Sequence, residues 1–206
     1  MPRVKVQRKS TSIDMTAMCD VAFLLLTFFI LTAKPRTEDP VPVDIPASST
    51  TQPIPDDNVL MLTIAEQKVF FTVDGNDIRR QTLIQMGEKY GQTFTTAEQV
   101  KFSGTPIFGV AMKDLKGFLA LDAAQKKDYK QQGIPADTTA NNELADWIRE
   151  ARKADVALHN KALRIAIKGD NKEEYPTIKK VIGILQKQKL DKFSLITTIR
   201  AAPKTN

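Results

Sequence analysis

One cysteine, Cys19, and one histidine, His159, are all that this 206-residue chain has of either residue. A lone cysteine forms no intrachain disulfide. One of each, far apart in sequence, supports neither a Cys/His metal cluster nor a Ser-His-Asp triad. His159 lies between Leu158 and Asn160 beside Lys161, a surface setting rather than a catalytic one. Only nine glycines are present, and none falls in a Gly-rich phosphate loop. No nucleophile-base pair stands out. The sequence therefore predicts no enzyme, no metal and no cofactor. It also lacks a basic folded face. The formal charge is +6, but residues 1–36 carry six Lys/Arg against two Asp, while the rest is near neutral, with 24 basic and 22 acidic side chains. A nucleic-acid partner calls for a basic domain surface, so none is expected.

What the sequence does have is one long apolar run. Val21 to Ala33 is uninterrupted for 13 residues, about 20 Å as a helix and too short for a hydrocarbon core of about 30 Å. Extending back to Ile13 gives 21 residues, about 31 Å. A membrane helix over 13–33 therefore takes Asp20 inside the span, with Asp14 at its boundary as a cap. Three other readings compete. A cleaved signal peptide suits the core length, but bulky Leu31 occupies the position where a cut after Ala33 wants a small residue. A buried helix of a soluble domain conflicts with an apolar surface all round. A passive anchor has no reason to bear a carboxylate costing at least about 2.5–3.5 kcal/mol within the span. An acid there usually faces other helices or a water path and handles ions. Thr16, Asp20, Leu24 and Thr27 are spaced 4, 4 and 3 apart and share a helix face. Arg3, Lys5, Arg8 and Lys9 outnumber Lys34 and Arg36 across the span, which predicts a cytoplasmic basic tail at 1–12 and a bulk domain on the other side.

Residues 34–57 read as a tether: six of the eleven prolines fall between Pro35 and Pro55, a composition that disfavours helix. Within it Val43, Asp44, Ile45 and Pro46 alternate in a way that suits adding a strand to a partner. An α+β domain is expected over 58–200. "VLMLTI" and "KVFFTV" predict a hairpin about Ala65-Glu66-Gln67. A helix is expected over 78–90 up to Gly91, another over 141–158, then the strand "LRIAIKG", the helix "EYPTIKKVIGILQKQKL" and the strand "KFSLITTI". This order, ββα…αβαβ, predicts a mixed sheet with helices packed on one face, Trp147 and the phenylalanines forming core. Residues 92–137 read as a partly helical insertion, with a capping box in "TTAE" and one amphipathic helix in "MKDLKGFLALDAAQKK". Since the flanking halves carry their own apolar faces, the sheet is expected to fold without it.

Basic tail, single span with an early acid, proline-rich tether and small α/β domain together resemble the ExbD/TolR family. "IDMTAMCDVAFLLLTFFILTA" is similar to that family's membrane segment, with Asp20 at its acid and Thr16 at its threonine; Ala17 stands where the family usually has proline. "VDIPAS" (43–48) resembles the ExbD branch, the stretch from Leu163 to Thr198 resembles the family's closing β-α-β unit, and the insertion resembles longer ExbD-like chains of Bacteroidetes-type bacteria. The resemblance implies an inner-membrane homodimer with a periplasmic domain, seated in a five-subunit ExbB-like ring, in which Asp20 gains and loses a proton and a TonB-like protein carries the work to outer-membrane transporters. A TolR-like role in the envelope, or a passive anchored binding module, are the rival readings.

Overall fold

The computed structural model describes residues 15–33, 40, 43, 45, 47–48, 58–137, 142–169, 175–196 and 198–199. The chain divides into two units, residues 1–36 and 37–206. The first holds a single apolar helix, α1 (Met15–Thr32). The second holds strands β1 (Ala47–Ser48), β2 (Val59–Ala65), β3 (Lys68–Val73), β4 (Ile107–Phe108), β5 (Arg164–Gly169), β6 (Phe193–Ile196) and β7 (Thr198–Ile199). Its helices are α2 (Asn76–Tyr90), α3 (Thr96–Ser103), α4 (Met112–Ala120), α5 (Ala123–Asp128), α6 (Glu143–His159) and α7 (Tyr175–Lys187). This is the single helix plus α+β domain that the pattern predicts.

Alternation sets the sheet. Its order is β4-β3-β2-β5-β6, with β2 and β3 an antiparallel hairpin and β2, β5 and β6 parallel. The register aligns Val73, Leu60, Ile165 and Phe193 in one row across the sheet, and Phe71, Leu62 and Ile167 in the next. A slip of one residue would turn all of these to the other face. Against them pack Leu83 and Met86 of α2, Leu144, Trp147 and Ile148 of α6, and Val181, Ile184 and Leu185 of α7. The hairpin closes through Glu66 and Gln67, both at positive φ (50° and 60°), the backbone of a primed two-residue turn.

The insertion is less separable than its sequence suggests. Phe102 of α3 and Phe108 of β4 lie against Trp147 at ring-centroid distances of 5.8 and 4.9 Å, and 5.0 Å from each other. Val110, Met112, Leu115, Phe118, Leu119 and Ile134 join the same core. The single helix expected over 112–127 is two, because Asp122 starts a new one: its N–H donates to Gln125 Oε1 at 3.0 Å. The capping box at Thr95 is present, with Glu98 N donating to Thr95 Oγ1 (3.3 Å) and Thr95 N to Glu98 Oε2 (2.7 Å). The Thr95 N–H first, and then the Thr95 hydroxyl donating to the same Oε2 at 2.9 Å, hold the Glu98 carboxyl below its ordinary range. Thr95→Ala is expected to lower stability by about 0.5–2 kcal/mol. Because the Glu98 carboxyl is depressed in the fold, its contribution is present in full above the unfolded carboxylate range and is lost as pH falls from there through the lower folded value. Denaturant unfolding of both forms at pH 7 and below pH 4 (about the unfolded value) checks this, the difference shrinking in acid.

Candidate functional site

Helix α1 has 18 residues, about 27 Å, and is long and apolar enough to cross a membrane. None of its residues is buried in the isolated chain. Leu31 is 85% exposed, and Phe29 and Ile30 are 64% and 66% exposed. Leaving such side chains in water forgoes about 1.5–3 kcal/mol each, so the helix needs lipid or other helices around it.

Asp20 is the sixth residue of α1 and the only charged one in it. It is exposed and has no hydrogen-bond or ion-pair partner among the described residues. Thr16, Asp20, Leu24 and Thr27 lie within about 80° of one another around the axis, so the helix brings together the four positions that the spacing selects. The Thr27 hydroxyl donates to the Leu24 carbonyl at 2.9 Å. Its proton is thereby used within the helix, and its oxygen keeps acceptor capacity. Thr32 does the same towards Phe28 (2.8 Å). Cys19, next to the acid, is exposed. Asp14, expected at the boundary, lies outside the described residues.

In the tether, β1 runs parallel to β7, pairing Ala47 with Thr198 and Ser48 with Ile199. The last two residues of "VDIPAS" therefore hydrogen-bond to the strand that follows β6, a contact that sequence reasoning missed because two residues carry no readable alternation. Of the expected docking residues, Val43 and Ile45 are half-buried; Asp44 and Pro46 lie outside the described residues.

Other polar groups have structural employment. His159 sits at the end of α6 with Nδ1 3.0 Å from buried Asp155 and Nε2 2.9 Å from Asp77 at the start of α2, joining the two helices. Asp146 accepts from the Tyr90 hydroxyl (2.9 Å) and pairs with Lys89 and Arg149. Burial first, and then this bond, raise the Tyr90 phenol above its ordinary range. Half-buried Glu143 accepts from Met112 N and Trp147 Nε1 (3.3 Å), tying α4 to α6. Among the described residues no group of three or more His, Cys, Asp or Glu could hold a metal ion.

The family model for the biopolymer transport protein ExbD/TolR matches residues 7–199, nearly the whole chain. No curated protein and no solved structure matches it. The match spans the apolar helix with its single carboxylate, the tether and the α+β domain alike. The chain belongs to the ExbD/TolR family, non-enzymatic transport components of complexes that use the proton motive force.

Proposed function

We propose that this protein is the proton-handling subunit of an ExbB-ExbD-TonB type motor in the bacterial inner membrane, energising TonB-dependent transport across the outer membrane. The observation that carries the proposal is the lone carboxylate, Asp20, on one face of an otherwise uncharged spanning helix. An acid placed there costs energy that a plain anchor would avoid. Protonated, it is tolerated in a dry surrounding; ionised, it needs water or a hydroxyl. Thr16, one turn before it, and Thr27, two turns after it, share its helix face; the Thr27 proton is committed to the Leu24 carbonyl, so the donors to the ionised form come from water or the ring. Alternation between the two forms is the switch that drives the ExbB-like pentameric ring against a homodimer of α1 helices. The basic tail holds the N-terminus in the cytoplasm, and the α+β domain lies in the periplasm. Val43, Asp44, Ile45 and Pro46 form a docking strand for the TonB-like partner or the twin chain, using the extended backbone that prolines favour.

The ExbD role is favoured over a TolR-like envelope role by "VDIPAS" at 43–48. A strain lacking this chain separates the readings. Loss of growth on iron complexes or vitamin substrates, with an intact envelope, is the expected result. Detergent sensitivity and chained cells with normal uptake would assign the Tol-type role instead, and neither defect would leave the passive module. A reporter fused after Asn206 is expected to work only if it functions in the periplasm.

A further inference from the structure

Beyond the carboxyl ends of β2 and β5 the domain holds a cavity of about 420 Å³, within the range of small-ligand pockets. Its position is the one where open α/β sheets take ligands, in the crevice past the ends of parallel strands. Three parts of the chain enclose it: the β2–β3 turn with Lys68, the start of α4 with Lys113, and α7 with Thr177 and Lys180. The remaining wall is the segment from Tyr129 to Ala136, supplied by the insertion.

That wall is fastened in place. Gly133 N donates to Gly109 O and Ile134 N to Val69 O, both at 2.8 Å. Gly109 N donates to the side-chain oxygen of Gln131 at 2.5 Å. Gly133 has φ +85°, and a Cβ there would fall 2.8 Å from Lys68 Cβ and 3.1 Å from its Cα. Only glycine lets the segment approach β3 this closely. The cavity is therefore a feature of the folded chain and not a gap under a loose loop.

Its chemistry is lopsided. Three ammonium groups line it against one carboxylate, Asp114. Lys68 is paired with Glu66 at 3.2 Å, whereas Lys113 and Lys180 have no ion-pair partner among the described residues. Gln132, Thr177 and Tyr129 add side chains that can donate. Val110, Ile134 and Pro135 form an apolar side. Lys113 and Lys180 are both exposed to solvent, and the lining keeps a net positive charge, so an oxyanion received there accepts charge-assisted hydrogen bonds from both. We propose that the cavity binds a small oxyanion ligand, a carboxylate or phosphate on a short apolar body, with Lys113 and Lys180 holding the charged end and the Val110–Ile134–Pro135 side receiving the rest. The site is separate from Asp20 and does not depend on the proton-handling role.

The test uses the full chain in detergent micelles, with isotope-labelled backbone amides followed by NMR. N-acetyl-leucine, N-acetyl-leucinamide and inorganic phosphate are the probes. Saturable shifts at Gly133, Ile134 and Lys113 with N-acetyl-leucine are expected, with the uncharged amide at least about tenfold weaker. The Lys113→Gln/Lys180→Gln protein should lose about tenfold in affinity with an unchanged melting temperature. The Lys189→Gln/Lys192→Gln protein, altered at a different surface, should bind as the parent does. Tighter binding of phosphate than of N-acetyl-leucine assigns a phosphate ligand; the reverse assigns a carboxylate. Three results overturn the proposal: neither anion moves these amides, the amide probe binds as well as the acid, or the double variant keeps full affinity.

Discussion

Asp20→Asn is expected to lower energised uptake by at least about a hundredfold, the scale on which a positioned proton-transfer group contributes, while the protein still assembles. Asn nearly matches the shape and hydrogen-bonding reach of Asp but does not titrate in the accessible range. It also removes the cost of a charge in the span, about 2.5–3.5 kcal/mol at the least, so insertion should not suffer. The distinction between motor and anchor rests on this separation of folding from work. Uptake of an iron complex, measured beside copurification with the ring subunit, gives both readouts from one strain. Transport at the native rate would remove the proton role and leave α1 as an anchor.

Two graded variants sharpen that result. Asp20→Glu keeps the proton but moves the carboxyl outward by a methylene, and intermediate uptake is expected. Thr27→Val keeps the shape and removes the hydroxyl that Thr27 carries on the acid's helix face, two turns further along. It should reduce uptake without affecting copurification. Asp14→Asn should change little, since an amide caps a helix as a carboxylate does.

The elements legible in the sequence were those with a period. Leu60, Leu62 and Ile64 alternate, as do Val69, Phe71 and Val73, and all six face the same core. Leu144, Trp147, Ile148 and Ala151 recur at helical spacing and are fully buried. Thr16, Asp20, Leu24 and Thr27 could be placed on one face because the helix repeat alone fixes that relation. What stayed hidden depended on partners distant in sequence. β4 is two residues long and is defined by pairing Phe71 with Phe108 and Thr72 with Ile107. β1 exists only by pairing with β7, some 150 residues away. The break at Asp122 is a capping decision that overrides an apolar pattern running through it. The cavity past the strand ends is made by Gly133 and Gly109, whose role is close approach, and close approach leaves no periodic trace.

Deleting residues 92–137 and joining the ends is expected to abolish cooperative folding of the domain, contrary to what the self-contained look of the flanking halves suggests. The insertion contributes eight residues to the core: Phe102, Phe108, Val110, Met112, Leu115, Phe118, Leu119 and Ile134. At about 1.5–3 kcal/mol for each large apolar side chain buried, their combined loss rivals or exceeds a domain's whole stability of about 5–15 kcal/mol. Trp147 would lose two of its three aromatic neighbours and keep only Phe71, at 5.9 Å. The free edge of β3 would also lose β4 and the Ile134 N–H to Val69 O bond, exposing a template for aggregation. A milder change locates the effect: Phe108→Ala should cost about 3–5 kcal/mol and leave a folded, less stable protein. Thermal unfolding followed by Trp147 fluorescence reads both. A deletion protein that melts in one sharp transition near the parent temperature would mean that α2, α6 and α7 close over the sheet on their own, and that the aromatic cluster around Trp147 adds only local order.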